Sequence, residues 1–168
     1  MNGVAAGCQW ALGIVFLTAV AGKARDFPGF RASLSSMAPG MAGWAVPVVV
    51  AEMFTALSLL IPATSRWGFA AAVALSAGFA VVVLRALAGG HHEPCPCFGV
   101  SARPLGRRHV VRNGLLTALA LAGLAAGDPA GPGAEVWPVA VLAGGCAAVL
   151  LIFFDDLVEL FLPVSRSV

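Results

Sequence analysis

Residues 68–84 read GFAAAVALSAGFAVVVL, a run in which no side chain is charged. A helix needs about 20 mostly apolar residues to cross the roughly 30 Å hydrocarbon core of a bilayer, so this run is predicted to span a membrane. Comparable apolar runs lie on both sides of it, separated by breakers such as Pro62 and Gly89-Gly90. The sequence therefore predicts five spans, at residues 4–22, 44–61, 68–84, 110–126 and 137–154.

Composition leads to the same class of protein. Of the 168 residues, 60% are hydrophobic and 11% are charged, and the mean hydropathy is +0.92. A water-soluble domain could not bury that much apolar surface. We expect an all-α, polytopic membrane helical bundle of four to five transmembrane helices. Residues 1–168 are predicted to form a single integral membrane domain surrounded by the lipid bilayer, with no soluble catalytic domain and no nucleic-acid partner.

The flanking charges distinguish the first span from a cleaved signal peptide. No Lys or Arg precedes it, whereas Lys23, Arg25 and Arg31 follow it, so it is predicted to be retained as a membrane helix. The fourth span is the weakest, because Arg112 and Asn113 fall within its first turn. We expect it to begin in the membrane interface.

Basic residues are distributed unevenly between the two sides of the predicted bundle. With five spans, one side has only Arg66, and the other side holds Lys23, Arg25, Arg31, Arg85, Arg103, Arg107, Arg108 and Arg166. Cytoplasmic loops of membrane proteins are enriched in Lys and Arg. The charge pattern therefore predicts that the loop from Arg85 to His109 is cytoplasmic and that the N-terminus lies outside.

That loop carries the motif Cys95-Pro96-Cys97-Phe98-Gly99. A disulfide between cysteines two positions apart would close a small, strained ring, and strain raises its reduction potential. Nearby basic groups, including His91 and His92, would favour the thiolate form. The pair is therefore predicted to take part in thiol–disulfide exchange, and the sequence leaves open which cysteine attacks.

The same loop supports a second interpretation, a thiophilic metal-binding or transport protein. Ligands of the kind that bind Zn²⁺ or Cu⁺ are present as His91, His92, Cys95 and Cys97. A third hypothesis is a non-enzymatic membrane scaffold. The other two cysteines, Cys8 and Cys146, lie within predicted spans and are interpreted as small buried apolar residues.

Three charged residues lie at or within spans on the side of the cysteine motif: Lys23, Glu52 and Arg112. An ionisable residue inside the membrane is costly, so each is a candidate functional residue with a partner nearby. Glu52 could pair with Lys23 or Arg112 in a structural salt bridge, or relay a proton when a disulfide is reduced. Lys23 could instead extend its charged end to the interface. The acidic residues expected to pair with the basic loops are Asp155, Asp156 and Glu159.

Taken together, these residues resemble one family of membrane proteins. The matching elements are Lys23-Ala24-Arg25-Asp26 after the first helix, Glu52 in the second, Cys95-Pro96-Cys97-Phe98-Gly99 after the third and Arg112-Asn113 opening the fourth. Over residues 10–125 the chain is similar to the MauE branch of the MauE/DoxX redox-associated membrane proteins. The Cys-x-Cys-Phe-Gly element is the most specific part of the resemblance.

The resemblance implies a protein of the bacterial cell membrane that matures a disulfide-rich enzyme of methylamine utilisation. Cys95 and Cys97 would be the redox pair, with Lys23, Arg25, Glu52 and Arg112 as site neighbours. A thioredoxin-like or disulfide-containing protein would be the partner, and a membrane quinone would be the electron carrier. Oxidative maturation would place the cysteines on the outer face, in conflict with the charge pattern. Many members of the family lie outside any methylamine pathway, so the substrate is left open.

Overall fold

The computed structural model describes residues 2–37, 40–89, 106–127 and 136–161, and among these residues there is no strand. They form seven α-helices: α1 (Asn2–Arg25), α2 (Phe27–Met37), α3 (Ala45–Leu60), α4 (Ser65–Ala88), α5 (Arg107–Ala126), α6 (Val136–Ile152) and α7 (Phe154–Phe161). Short 3₁₀ turns at Met41–Trp44 and Pro62–Thr64 lead into α3 and α4. The predicted all-α fold is confirmed.

Helices α1, α3, α4 and α5 are each long and apolar enough to cross a membrane, and α3 and α4 include the preceding 3₁₀ turns in that length. Helices α6 and α7 together form a fifth candidate span that bends by 62°. The expected four to five membrane helices are therefore confirmed, and the chain is a multi-pass membrane protein.

Helix α1 lies at the centre of the bundle, where it packs against α3, α5 and α6. Its buried side chains include Leu12, Val15 and Phe16, which join one core with residues of the surrounding helices. Helices α4 and α5 run antiparallel, because Phe69 at the start of α4 lies against Gly123 near the end of α5. At the opposite end, Val83 packs near Val110.

Small residues allow α1 and α6 to approach closely. A Cβ atom built on Gly144 would lie 2.6 Å from the carbonyl oxygen of Gly7 and 2.9 Å from Cβ of Trp10. Lipid removes the usual hydrophobic drive between helices, so close packing through small residues stabilises such pairs. The two helices therefore approach closely at Gly144, whereas Gly145 faces open space.

Helix α2 occupies part of a segment that the sequence analysis treated as a loop. Asp26 precedes this helix, and its Oδ1 accepts a hydrogen bond from the backbone N–H of Gly29 at 3.0 Å, as an N-capping residue does. Phe30 and Leu34 are buried on one face, and Arg31 is exposed on the other. An amphipathic helix of this length is suited to lie along the membrane interface.

The last predicted span, residues 137–154, also differs from the structure. Helix α6 ends at Ile152, and α7 begins at Phe154 after the bend. The carboxylate of Asp155 is bonded to Arg112 on α5, which holds the first turn of α7 against the bundle. The bend therefore lies where an acidic residue in the first turn of α7 meets a buried cation.

Candidate functional site

The most buried charged groups of the described residues form an ion pair between α1 and α3. Lys23 Nζ donates a hydrogen bond to Glu52 Oε1 at 2.8 Å, and the two side chains are 1% and 3% exposed. Of the two partners predicted for Glu52, the structure therefore selects Lys23. Since Lys23 is buried in a bond to Glu52, its charged end does not extend to the interface as the alternative interpretation allowed.

Two aromatic rings cover the ammonium group of Lys23. Its Nζ lies 5.2 Å from the ring centroid of Phe30 on α2 and 5.7 Å from that of Phe79 on α4. Such contacts stabilise a cation by electrostatic attraction to the ring face, more strongly where water is excluded. Helix α2, which the sequence analysis missed, thus contributes directly to the surroundings of this site.

A small cavity of about 20 Å³ adjoins the ion pair. Its polar lining residues, which we call the polar cluster, are Lys23, Glu52, Ser76, His109 and Asn113. All five are buried, and they come from α1, α3, α4 and α5. The side-chain amide of Asn113 donates a hydrogen bond to the carbonyl oxygen of His109 at 2.8 Å, one turn earlier in α5.

The polar cluster lies toward the end of the bundle at which α4 ends and α5 begins. Val83, near the end of α4, lines the same cavity as His109, which lies in the first turn of α5. The segment between these two helices, residues 90–105, carries Cys95 and Cys97. The polar cluster therefore lies toward the end of the bundle at which the cysteine segment is connected to α4 and α5.

A second, partly buried ion pair connects α5 to α7. Arg112 Nη1 donates a hydrogen bond to Asp155 Oδ2 at 2.9 Å, and these side chains are 4% and 13% exposed. Arg108 and Glu159 form a longer and more exposed pair at 3.9 Å. The acidic end of the chain was predicted to pair with the basic loops. Two of its carboxylates are paired with basic residues, but these partners lie in the first turns of α5.

An apolar groove of about 230 Å³ lies beside the polar cluster. Phe79 and Val83 line both the groove and the cavity. The other groove residues come from α2, the turn before α3, α3 and α4: Phe30, Leu34, Met41, Trp44, Val48, Ala74, Leu75, Gly78 and Val82. In this lining the indole N–H of Trp44 is the one side-chain hydrogen-bond donor.

Other predicted residues lie apart from the polar cluster. Arg25 is exposed at the end of α1. Cys8 is buried, as predicted. Cys146 is exposed, so its predicted burial is wrong. Helix α6 contacts α1 through Gly144 and its neighbours one turn away, and Cys146 lies on another face.

The cysteine motif lies outside the described residues, as do the candidate metal ligands His91 and His92. Thiol–disulfide exchange at Cys95 and Cys97 therefore stays a prediction. Within the described ranges, no group of three or more His, Cys, Asp or Glu side chains could hold a metal ion. The metal-binding hypothesis, which used ligands in residues 91–97, stays a prediction as well.

Sequence reasoning missed Ser76, His109 and Asn113 as members of the polar cluster. Ser76 lies in an otherwise apolar run, and His109 was assigned to a loop. A helical signal was present, because His109 precedes Asn113 by four residues and so shares its helix face. Their position around the same cavity as Glu52 depends on the packing of three helices, which no local pattern specifies.

Comparison with known protein families gave a match over most of the chain. A family model described as Methylamine utilisation protein MauE matches residues 1–126 of the 168. The chain belongs to the MauE family. A search of the curated proteins and one of the solved structures found no match. The MauE match covers α1 to α5, which contain the polar cluster, whereas Asp155 on α7 lies beyond the matched region of this MauE-family protein.

Proposed function

We propose that this protein is a membrane thiol–disulfide oxidoreductase that uses Cys95 and Cys97 as its redox pair. The observation that carries the proposal is the buried polar cluster at the bundle end where the segment with both cysteines begins and ends. Family membership supports a membrane role connected with methylamine utilisation. We further propose that residues 1–168 form one membrane domain, which is supported by the close packing of α6 on α1.

In the proposed reaction the disulfide Cys95–Cys97 oxidises a dithiol of a partner protein, either thioredoxin-like or itself an immature disulfide-containing enzyme. A thiolate of the partner attacks one sulfur, the S–S bond of the pair breaks, and a mixed disulfide forms. The second partner thiolate then attacks the mixed disulfide. The partner leaves as a disulfide, and Cys95 and Cys97 have gained two electrons and two protons as thiols.

The charged residues have separate roles in this proposal. Glu52, held by Lys23, is the group that exchanges a proton with the thiols. Arg112 fixes the start of α5, and hence one end of the cysteine segment, through its bond to Asp155. Arg25 is exposed at the same end of the bundle, at a surface that a partner protein would reach.

Reoxidation of the pair requires an acceptor of two electrons, and we propose a membrane quinone. A quinone that accepts two electrons and two protons becomes a quinol. The groove beside the polar cluster fits such a molecule in part: Phe30, Leu34 and Val48 would hold its ring and tail, and Trp44 offers an N–H to a carbonyl oxygen. Because Phe79 and Val83 line both groove and cavity, a quinone in the groove would lie next to the proton-exchanging residues.

The experiment that tests the redox proposal is thiol trapping with a membrane-impermeant maleimide, in a background in which Cys8 and Cys146 are replaced by Ser. In this background every labelled thiol belongs to the motif, whereas in the native sequence Cys146 on the outer face of α6 is a further free thiol. We expect Cys95 and Cys97 to be labelled only after mild reduction, and either Cys95→Ser or Cys97→Ser to be labelled without it.

The outcome also reports the side of the membrane. Labelling in intact cells would place the pair outside, as oxidative maturation requires, and labelling only after permeabilisation would place it in the cytoplasm, as the charge pattern predicts. If both cysteines stay reduced in cells under every condition, and their joint replacement by Ser leaves the partner protein fully oxidised, the redox proposal is wrong.

A further inference from the structure

The cavity of the polar cluster holds polar atoms that the described residues do not satisfy. Glu52 Oε2, Ser76 Oγ and His109 Nδ1 have no hydrogen-bond partner among those residues. The three residues are 2%, 1% and 4% exposed, and each comes from a different helix. They line the same cavity, together with the apolar residues Phe16, Phe79, Val83 and Leu116.

An unsatisfied buried polar group costs about 1–3 kcal/mol, so three of them around one cavity would destabilise the bundle considerably. Folded proteins relieve such a cost with an ordered buried water molecule where the site is polar and large enough. A cavity needs about 10–15 Å³ to hold one water molecule, and this cavity offers about 20 Å³. Volume and chemistry both fit a single water molecule.

We propose that this cavity binds one ordered water molecule that connects Glu52 with His109. The water donates one O–H to Glu52 Oε2 and the other to His109 Nδ1, and it accepts the O–H of Ser76. This arrangement satisfies all three atoms and uses three of the four hydrogen bonds that water can make. A metal cation does not suit the same space, because Lys23 also lines it and its positive charge would repel the ion.

The bridge makes a route for proton transfer across the bundle interior. When Nδ1 of His109 carries an extra proton, that proton passes to the water oxygen, and the water passes one of its own protons to Glu52 Oε2. His109 loses one proton, Glu52 gains one, and the water is regenerated without any transfer of electrons. Transfer in the opposite direction uses the same three groups.

The use of this proton rests on the proposed function, in which reduction of a disulfide to two thiols consumes two protons. His109 lies in the first turn of α5, directly after the segment that carries both cysteines. The water bridge therefore gives Glu52, which lies within the bundle, a connection toward the end where the thiols are attached. The water site itself is inferred from the cavity and its polar atoms and does not depend on the proposed function.

Solid-state NMR of the full-length protein in bilayers tests the site. The protein carries ¹⁵N-labelled histidine, and magnetisation is transferred from water protons to the ring nitrogens for a short mixing time. The chain has three histidines. The His109 signals are identified by their absence from the His109→Gln variant. Because His109 is buried, transfer from bulk water to its ring is small, and we expect a clear signal from the bound water.

Two variants separate the bridge from general hydration. Ser76→Val fills the cavity and removes the hydroxyl, so transfer to His109 should be lost. Ser65→Val is the matched control, because Ser65 also lies on α4, is 1% exposed and has no partner for its Oγ within the described residues, yet does not line the cavity. Transfer should be unchanged in this control.

The absence of transfer in the wild-type protein would overturn the proposal, and this result does not depend on whether Ser76→Val folds. Undiminished transfer in a folded Ser76→Val protein would overturn it as well. Thiol trapping is measured separately, so a water signal without a redox-active cysteine pair would refute the proposed function and leave the water site intact. A redox-active pair without a water signal would refute the water site and leave the proposed function intact.

Discussion

The Lys23–Glu52 pair gives the strongest test of how buried charges contribute to this bundle. At an effective dielectric constant of 20, two unit charges at the observed 2.8 Å attract by about 6 kcal/mol. Each contact of the ammonium with Phe30 and Phe79 adds about 0.5–2 kcal/mol. The cost of removing both groups from water offsets much of this gain, so the net stabilisation by the pair is small although the two charges are strongly coupled.

A double-mutant cycle measures that coupling. Lys23→Met or Glu52→Leu alone leaves one buried charge without its partner and should lower the free energy of unfolding by about 3–5 kcal/mol. The double variant replaces both with apolar groups of similar size and should lie within about 1 kcal/mol of the wild type. Unfolding is followed by fluorescence of the four Trp residues during titration of bicelle-reconstituted protein with a denaturing detergent.

The control for this cycle is Arg108→Gln, which removes one partner of the exposed pair with Glu159. The two charges are 3.9 Å apart with side chains 23% and 52% exposed. The expected loss is below about 1 kcal/mol. If the destabilisation of the double variant equals the sum of the two single losses, Lys23 and Glu52 are not coupled and our account of the site is wrong.

Three further predictions concern the groove, the helix packing and the last helix. Gly78 lines the groove and has open space at its Cβ position, so Gly78→Leu should slow quinone-dependent reoxidation of the cysteine pair at least about tenfold. Gly114→Leu, also at an open helical position, should leave the rate unchanged, and equal rates in the two variants would exclude the groove as the quinone site. Gly123→Ala should lower the free energy of unfolding by about 1–3 kcal/mol, because its Cβ would collide with an aromatic ring of α4, whereas Gly114→Ala should raise it by up to about 1 kcal/mol in the same detergent titration. Arg112→Gln should release α7 and speed hydrogen exchange of its amides, as should Asp155→Asn, and unchanged exchange in both would show that the ion pair does not hold that helix.

The sequence was sufficient for the first four spans and for part of the site. Long apolar runs in a membrane protein clearly predict helices, because a helix satisfies every backbone hydrogen bond within the segment where lipid offers no partner. Glu52 was identified as a candidate for the same reason, since a carboxylate within such a run needs a partner. The choice of Lys23 over Arg112 as that partner required the packing of α1 against α3.

The missed elements show where local patterns fall short. Pro28-Gly29 looks like a turn, yet Asp26 caps the helix and Pro28 sits in its first turn, where the missing N–H costs nothing. The bend between α6 and α7 lies next to the bond from Asp155 to Arg112, which are 43 residues apart in sequence. Contacts of this kind belong to the assembled bundle, and no periodicity within one helix indicates them.

The structure also changes how the charge pattern should be weighed. Lys23 is buried and bonded to Glu52, and Arg108 is paired with Glu159, so neither acts as a free loop charge in setting orientation. Four exposed basic residues remain in the described part of that side, Arg25, Arg31, Arg85 and Arg107, against Arg66 on the other.

The positive-inside rule therefore still predicts a cytoplasmic cysteine segment after the site residues are removed from the count. A cytoplasmic pair would meet a reducing compartment, where it would be kept reduced unless a carrier drew electrons from it. Oxidative maturation on the outer face would instead require that exposed arginines at this end serve a partner protein or lipid headgroups. Labelling only after permeabilisation would show that the basic residues set the orientation of the bundle. Labelling in intact cells would show that these arginines instead serve the site and its partners.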